Sequence, residues 1–227
     1  PETATFLTPA TASVSAGSWH NCSRDVSGSV QCWGLNQYQQ SRSHPGTFTQ
    51  VSAGADHTCA INSAGTVECW GAGSWDNGPD PHFGQSNPPS GTFTGVSAGE
   101  WHACGINSSG TVECWGAGEC GETGGHDWVG HEIHVSQSCP PAGTFTQLSA
   151  GQGHTCALNS SGTVECWGTG TTDSDCSWGG GYECGQASPP EGTFTEISAG
   201  TQHTCAINST GAVECWGAGG CDDGGTP

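Results

Sequence analysis

Alternating hydrophobic and polar positions recur five times along the chain and predict one β-hairpin in each repeat. In the clearest copy, a short strand from Thr58 to Ile61 meets a turn of Asn, Ser, Ala and Gly, and a second strand follows from Thr66 to Trp70. Asn and Ser side chains bond their own backbone and Gly permits a positive φ, so these residues favour a tight turn. Close copies of this stretch begin at His20, His102, His154 and His203.

The hairpin register predicts a disulfide in every copy. Folding the chain about Ala64 sets Cys59 opposite Cys69 on one face, while Thr58 and Trp70 pair on the other. Directly opposite residues have Cβ atoms about 4.5–5.5 Å apart, and a disulfide requires about 3.5–4.5 Å, so a slightly compressed pair can be bridged. The predicted pairs are Cys22 with Cys32, Cys59 with Cys69, Cys104 with Cys114, Cys156 with Cys166, and Cys205 with Cys215.

A longer period encloses each hairpin. The repeated Trp stands at positions 33, 70, 115, 167 and 216, and a Gly-Thr-Phe-Thr strand precedes the hairpin from the second copy onwards. Repeats of about 40–45 residues with several strands are typical of propeller blades. We therefore predict an all-β fold: a β-propeller of five repeats, with blades of up to four antiparallel strands. The chain is one repeat domain, 1–227, with repeats at roughly 12–45, 46–90, 91–142, 143–191 and 192–227.

All variation in repeat length lies in one loop per repeat. From the repeated Trp to the next Gln the spacings are 7, 15, 22 and 19 residues, and these differences account for the whole change in period. Insertions gathered on one face of a propeller often mark a binding face. Aromatic side chains in these loops suit protein or glycan contacts, although packing over the loops explains them equally well. They are Trp75, Phe83, Trp128, Trp178 and Tyr182.

The two ends of the chain are complementary in pattern. Residues 1–11 contain Thr5-Phe6, which resembles the Gly-Thr-Phe-Thr strand, and the last repeat stops before any further Gln or Thr-Phe-Thr. The N-terminal strand or arm is therefore expected to complete the last blade. Completion in cis closes a ring and gives a monomer, whereas completion in trans gives a head-to-tail polymer, because a heterologous contact that does not close makes a filament.

At these residues the chain resembles the regulator of chromosome condensation repeat family, which includes the type II β-lactamase inhibitory protein. The matching pattern runs from Ala53 to Ile61, continues as Gly65-Thr66-Val67-Glu68-Cys69-Trp70-Gly71, and ends at Gly84-Gln85. The resemblance implies a propeller of four-stranded blades. The present chain is a cysteine-rich variant, because the cysteine pairs replace apolar or aromatic positions. The exchange activity that gave the family its name is not carried over, since a shared fold does not establish function.

The composition of the chain indicates its cellular location and excludes some classes of binding partner. The chain carries a formal charge of −19 with Arg24 and Arg42 as its sole cationic side chains besides histidine, which argues against nucleic acid and against anionic membrane surfaces. Fifteen cysteines in a chain with 32% hydrophobic residues indicate an oxidising compartment and stabilisation by cross-links. With neither an initiator Met nor a signal peptide, we expect a mature exported product, located outside the cell or at its surface, with no membrane insertion.

Catalytic and metal chemistry is not favoured. The histidine that opens every hairpin recurs in five equivalent places, whereas catalysis needs one asymmetric constellation, so these histidines are interpreted as structural. His126, His131 and His134 in the longest loop are weak candidates for zinc or copper, because their spacing matches no defined motif. Asp173 with Asp175, and Asp222 with Asp223, are weak Ca²⁺ candidates. No cofactor and no enzymatic activity are predicted.

The remaining cysteines and the Asn-x-Ser/Thr sequences complete the candidate set. The simplest pairings join Cys120 with Cys139 and Cys176 with Cys184, which leaves Cys221 unpaired or available to a second molecule. Four sequences match the N-glycosylation acceptor, and turn chemistry explains those in the hairpin turns slightly better. Their acceptor residues are Asn21, Asn107, Asn159 and Asn208.

The sequence therefore predicts an exported, non-enzymatic structural or adhesive propeller that assembles with itself head to tail into an extracellular polymer. The alternative is a recognition module whose loops bind a glycan, as a lectin does, or a protein, as an inhibitor does. The partner is accordingly another copy of the chain or an extracellular protein or glycan, and no nucleic acid.

Overall fold

The computed structural model describes residues 11–73, 83–118, 120, 136–171 and 184–218, and it shows an all-β chain. Fifteen strands form five antiparallel sheets of three strands each. The strands are β1 (Thr11–Ala16), β2 (His20–Asp25), β3 (Val30–Gly34), β4 (Phe48–Ala53), β5 (His57–Asn62), β6 (Val67–Gly71), β7 (Phe93–Ala98), β8 (His102–Asn107), β9 (Val112–Gly116), β10 (Phe145–Ala150), β11 (His154–Asn159), β12 (Val164–Gly168), β13 (Phe194–Ala199), β14 (His203–Asn208) and β15 (Val213–Gly217).

Each sheet is one blade, and consecutive triplets of strands make blades 1 to 5. The propeller of five repeats is thus confirmed, and the described part of each blade has three strands where the family resemblance implies four. Blades 2 to 5 lie within the predicted repeats, and blade 1 begins one residue before the predicted start of the first repeat. The repeat boundaries themselves stay a prediction. The predicted closing role of residues 1–10 lies outside the described residues, and Thr11 begins β1.

The predicted hairpin register is confirmed residue by residue. In blade 2, Cys59 faces Cys69, Thr58 faces Trp70, and Ile61 faces Val67. The two bridged cysteines have Cα atoms 4.1 Å apart, and the other four hairpins carry the same bridge at 4.0–4.1 Å. The disulfide-stapled hairpin is therefore the constant unit of the fold.

The hairpin turns of blades 2 to 5 each depend on an Asn, and in blade 1 Asp25 takes its place. Asn62 Oδ1 accepts hydrogen bonds from the backbone N–H groups of Ala64 and Thr66, at 2.9 and 3.1 Å. Gly65 adopts φ +84°, a left-handed conformation that favours glycine. Asn62 Nδ2 donates to Glu68 Oε1 at 2.7 Å, which ties the turn to the second strand.

A β-bulge shapes the first strand of every blade. The register shifts at Thr49 in β4, and the Thr49 hydroxyl donates to the Ile61 carbonyl oxygen at 3.2 Å. The second Thr of the Gly-Thr-Phe-Thr motif makes the same bond in blades 3, 4 and 5. Bulges increase the local twist of a strand, so this motif sets the twist of each blade.

Successive blades pack face to face in chain order. The first strands form a series in which β1 packs on β4, β4 on β7, β7 on β10, and β10 on β13. Packing of this extent does not join the fifth blade to the first within the described residues. In the same part of the chain, no helix has the length and hydropathy of a membrane span.

Close approach between blades requires glycine in the loop after each first strand. A Cβ on Gly99 would lie 2.5 Å from the Gly151 carbonyl oxygen of the next blade and 2.7 Å from His102 Cε1. Gly99→Ala is therefore expected to destabilise the protein by about 1–3 kcal/mol, since overpacking forces the backbone to shift. The midpoint of chemical denaturation measures the effect.

Gly95→Ala in the same blade is the matched control. Its added Cβ would meet nothing closer than Ile106 Cδ1 at 3.8 Å, an ordinary contact. The control is expected to keep the wild-type midpoint. Equal midpoints for both variants would show that the loop tolerates a side chain and would contradict the steric argument.

Candidate functional site

The contacts between blades are the most regular structural feature of the molecule, and each blade contributes two different faces to them. We call the face towards the following blade the trailing face; in blade 2 it carries the Cys59–Cys69 bridge, Ile61 and Val67. The face towards the preceding blade is the leading face. In blade 2 the leading face comprises Phe48, Val51, Ala60 and Trp70, and these pack on Cys22, Val30 and Cys32 of blade 1.

The same two faces meet in four seams. A seam is one trailing face packed on the next leading face, and each seam forms its own buried apolar cluster. The disulfide lies inside the cluster, where Cys59, Cys104 and Cys156 are fully buried. The chain thus builds its core at the seams from cystine, small aliphatic side chains, and one Phe and one Trp in each seam.

A glutamine carbonyl organises the polar part of each seam. Trp70 Nε1 and the Thr58 hydroxyl, both in blade 2, donate to the Gln40 carbonyl oxygen at 3.0 and 2.9 Å. The later seams repeat the Trp bond at 2.9 Å, from Trp115 to Gln85, from Trp167 to Gln137, and from Trp216 to Gln186. A buried indole N–H needs such a partner.

The glutamine side chain serves the loop that precedes it. Gln40, Gln85, Gln137 and Gln186 are all fully buried. Gln40 Oε1 accepts the Tyr38 N–H at 2.9 Å, and Gln186 Oε1 accepts the Cys184 N–H at 2.7 Å. Each glutamine therefore has two roles: its side chain binds the end of the preceding loop, and its backbone carbonyl accepts hydrogen bonds in the seam. The residue was visible in the sequence as the end of the variable loop, but its two roles were not.

The recurring histidine crosses the seam to the next blade. His20 Nε2 lies 2.7 Å from the Thr58 hydroxyl, His102 Nε2 lies 2.7 Å from that of Thr155, and His154 Nε2 lies 2.8 Å from that of Thr204. Because the Thr58 hydroxyl already donates to Gln40, it accepts from the imidazole. The network thus assigns the proton to Nε2, and these three histidines each join their blade to the next one.

One seam lacks this bond. Ala103 stands in blade 3 where the other seams have Thr, and neither ring nitrogen of the fully buried His57 has a hydrogen-bond partner in the described part of the chain. Burial, reinforced by the nearby His20, lowers the pKa of His57 to about 3. A buried donor without a partner costs about 1–3 kcal/mol, so the seam between blades 2 and 3 is weaker in this respect.

A cavity of about 230 Å³ lies where the loops after the five first strands converge, lined by Ala, Gly and one further residue from each blade. Its ionisable side chain is Glu100. Burial raises the pKa of Glu100 to about 7. A hydrogen bond from Gln152 lowers this pKa by a smaller amount, and the negative charge of Asp56 raises it further. Within the described ranges, no three His, Cys, Asp or Glu side chains gather as a metal site would require.

The predicted loop residues lie mostly outside the described residues. This holds for Trp75, Trp128, Trp178, Tyr182, for the candidate ligands His126, His131 and His134, and for Cys176 and Cys221. Phe83 is half-buried at the end of its loop, and its N–H donates to Gln85 Oε1 at 2.8 Å. Cys120 and Cys139 are bridged, with Cα atoms 4.9 Å apart, so this loop is closed at its base.

In the hairpin turns, the Asn side chains of the N-glycosylation acceptor sequences make hydrogen bonds within the turn. Asn107 Oδ1 accepts from the N–H groups of Ser109 and Thr111, and its Nδ2 donates to Glu113. Asn159 and Asn208 accept the equivalent N–H bonds. Asn21 differs, because it lies in β2 opposite Trp33. Glycosylation at the four positions stays a prediction.

Among the described residues, the first and last faces of the series are not covered by another blade. On the leading face of blade 1, Val14 is 73% exposed and Trp33 46%, whereas the equivalent Val51 and Trp70 in blade 2 are 7% and 4% exposed. On the trailing face of blade 5, Val213 is 66% exposed, against 8% for Val67. His203 is also exposed there, while the other four histidines are buried. The two end faces are the exposed apolar surfaces that a partner could cover.

Comparison with known proteins identifies the same repeat family in all five blades. A sequence model described as Regulator of chromosome condensation (RCC1) repeat matches residues 12–40, 48–78, 93–122, 145–172 and 194–222. No curated protein sequence matches the chain.

Solved structures of longer chains share the fold. The entire ectodomain of the receptor kinase CR4 from Physcomitrella patens is 26% identical with a TM-score of 0.65, over 92% of this chain and 51% of that one. The CRINKLY WD40 ectodomain of the receptor kinase ACR4 from Arabidopsis thaliana is 25% identical with a TM-score of 0.62, over 91% and 63%. Yeast RCC1 (Prp20), solved bound to Kap60, is 17% identical with a TM-score of 0.64, over 92% and 56%. The present chain thus spans between half and two-thirds of their lengths.

Restoring the missing seam bond is expected to stabilise the protein. Ala103→Thr places a hydroxyl where Thr58, Thr155 and Thr204 carry theirs, so His57 gains a partner and the free energy of unfolding rises by about 0.5–1.5 kcal/mol. Chemical denaturation measures the change. The reciprocal control is Thr155→Ala, which should cost about 1–3 kcal/mol by leaving His102 without its bond. A destabilised Ala103→Thr variant would contradict this account of the seam.

The buried histidines predict a loss of stability in mild acid. Burial, with smaller contributions from neighbouring imidazoles, lowers the pKa of His57 and His102 to about 3 and that of His154 to about 4, from 6.5. Between those values and 6.5 the unfolded chain binds more protons than the folded one, so stability falls as the pH drops through this window. Denaturation midpoints from pH 7 to pH 4.5 test the slope. His57→Gln should flatten it by about one proton, and an unchanged slope in that variant would refute the assignment.

Proposed function

We propose that this chain, which belongs to the Regulator of chromosome condensation (RCC1) repeat family, is an exported, non-enzymatic structural propeller whose copies join head to tail into an extracellular polymer. The observation that carries the proposal is the contrast between covered and uncovered blade faces. Val213 and Val14 are exposed at the two ends, while their counterparts at the four seams are buried or half-buried. A trailing face and a leading face pack on each other inside the molecule, so copies of the chain offer each other complementary surfaces.

An extracellular location is supported by two independent observations. Six disulfides join twelve cysteines among the described residues, which is typical of an oxidising compartment. The two plant structures described above are receptor-kinase ectodomains and are at least 25% identical to the chain.

The absence of an enzymatic role is supported by the use of the polar residues. Three of the repeated histidines and the threonines and glutamines they meet make hydrogen bonds in the seams and loops. Among the described residues, one carboxyl, that of Glu100, lines the cavity, where acid–base catalysis on a bound substrate generally needs two positioned groups.

Recognition by the loops is the second candidate function. The loops leave the blades after Gly71, Gly116 and Gly168 and return at the buried glutamines, hence they all emerge from the same end of their blades. Such a cluster of loops suits a glycan or protein ligand. This function does not need the end faces, so it should survive substitutions that block assembly.

Assembly is tested by native mass and negative-stain imaging of the full chain. The wild type is expected to form filaments, and Val213→Asp should reduce them to small species, because a charge in an apolar seam would lack a partner. Val26→Asp is the matched control, since Val26 is also 66% exposed but lies in a hairpin turn. Single particles of monomer mass for the wild type, with and without reducing agent, would overturn the proposal.

A further inference from the structure

The two end faces carry most of the groups that make a seam inside the molecule. The trailing face of blade 5 presents the Cys205–Cys215 bridge, Ile207, Val213 and His203 in the register that blades 1 to 4 use. The leading face of blade 1 presents Val14 and Trp33 in the places of Val51 and Trp70. The residue in the place of Thr58 is Asn21, which lies opposite Trp33 as Thr58 lies opposite Trp70.

We propose that the end faces form a fifth seam between two copies of the chain, in which Asn21 of one copy takes the role of the seam threonine and binds His203 of the other. This inference rests on the proposed self-assembly and specifies its contact. The occupant of each end face is thus the opposite end face of a second copy, because the surface continues an interface that the molecule already builds four times.

The amide of Asn21 can both accept and donate a hydrogen bond, as the threonine hydroxyl does. Inside the molecule the Thr58 hydroxyl accepts from His20 and donates to the Gln40 carbonyl. An Asn side chain has an acceptor oxygen and a donor nitrogen, so Oδ1 can accept from His203 Nε2 and Nδ2 remains a donor. The described residues of blade 5 include no glutamine in the place of Gln40 to accept from that donor. By contrast, Ala103 in the seam between blades 2 and 3 can make neither bond with its side chain.

The leading face of blade 1 has a neutral residue at a position where the other four blades carry a glutamate. Glu68, Glu113, Glu165 and Glu214 face the same strand position in blades 2 to 5, whereas blade 1 has Gln31 there. The acid of this blade is Asp25, whose carboxylate accepts from the N–H groups of Ser27 and Ser29 in the turn. In a chain with a net charge of −19, a neutral side chain at this point lowers the repulsion between docking copies.

In one contact the fifth seam is nevertheless weaker than the seam between blades 2 and 3. At the place of Gln50, blade 5 carries Glu196. Gln50 both accepts from the Val96 N–H and donates to the Val96 carbonyl, each at 3.0 Å. A carboxylate can accept the matching Val14 N–H of the next copy but cannot donate. Ser23 also replaces the buried Ala60. The contact between copies is therefore reversible under conditions in which each propeller stays folded.

Mixing two single-end variants tests the direction of the joint. Val14→Asp blocks the leading face and Val213→Asp the trailing face, and both sites are exposed, so folding should be unaffected. Each variant alone is expected to be monomeric in sedimentation-velocity ultracentrifugation at concentrations where the wild type is polymeric. An equimolar mixture should form dimers and nothing larger, because one intact pair of faces remains. A dimer of either variant alone would show that like faces meet and would overturn the inference.

The role of Asn21 is read from the strength of that mixed dimer. Asn21→Ala in the Val213→Asp chain, which supplies the intact leading face, should weaken the dimer about tenfold or more, because His203 is left buried without its partner. Asn21→Thr should keep the dimer within a few-fold, as it recreates an inner seam. Equal dimer affinity with and without the Asn21→Ala substitution would overturn the assigned bond. If the wild type polymerises and both blocked variants still polymerise, this joint fails while self-assembly stands; if the wild type is monomeric, both fail.

Discussion

No blade of this protein can bury its own apolar surface, and the rest of the structure follows from that constraint. A three-stranded sheet has two faces, and here both carry apolar side chains, so each blade is stabilised by packing on its neighbours. The trailing and leading faces are different in composition, cystine and aliphatic on one side and aromatic on the other. Because the faces differ, the series has a direction, and its two ends cannot be equivalent.

The chemistry of the seams compensates for a poor supply of large apolar residues. The disulfide holds two opposite Cα atoms about 4 Å apart and fills the centre of the cluster. The Trp indole covers it from the next blade while its N–H is satisfied by a backbone carbonyl. The His–Thr–Gln series then supplies buried hydrogen bonds that cross the seam. Apolar packing and polar satisfaction are thus provided by the same few repeated residues.

The hairpins could be predicted from the sequence because their information is local. A period of two and a turn of Asn, Ser and Gly determine which residue faces which, and the cysteine pairs follow from that register. The seam could not be predicted in the same way, since its bonds join residues of different repeats. The signal was nevertheless present: the Gln of one repeat always precedes the Trp of the next by 30 positions, whatever the length of the loop before it. Ala103 and Asn21 replace the threonine that the other three blades have at the same position. The importance of these replacements becomes clear only from the hydrogen bonds that the threonine makes in the inner seams.

The buried glutamine stands between a loop that differs in length from blade to blade and a seam contact that stays the same. Its side chain ends a loop whose length has varied threefold, from 7 to 22 residues, while its carbonyl keeps a fixed place in the seam. A loop can therefore be lengthened, shortened or exchanged without disturbing the contacts on which folding depends. Natural variation, or a protein engineer grafting peptides between the Trp and the Gln, can explore new surfaces one blade at a time. In the proposed filament, any new surface on one copy would recur at the spacing of the copies, so that weak individual contacts would add up as avidity.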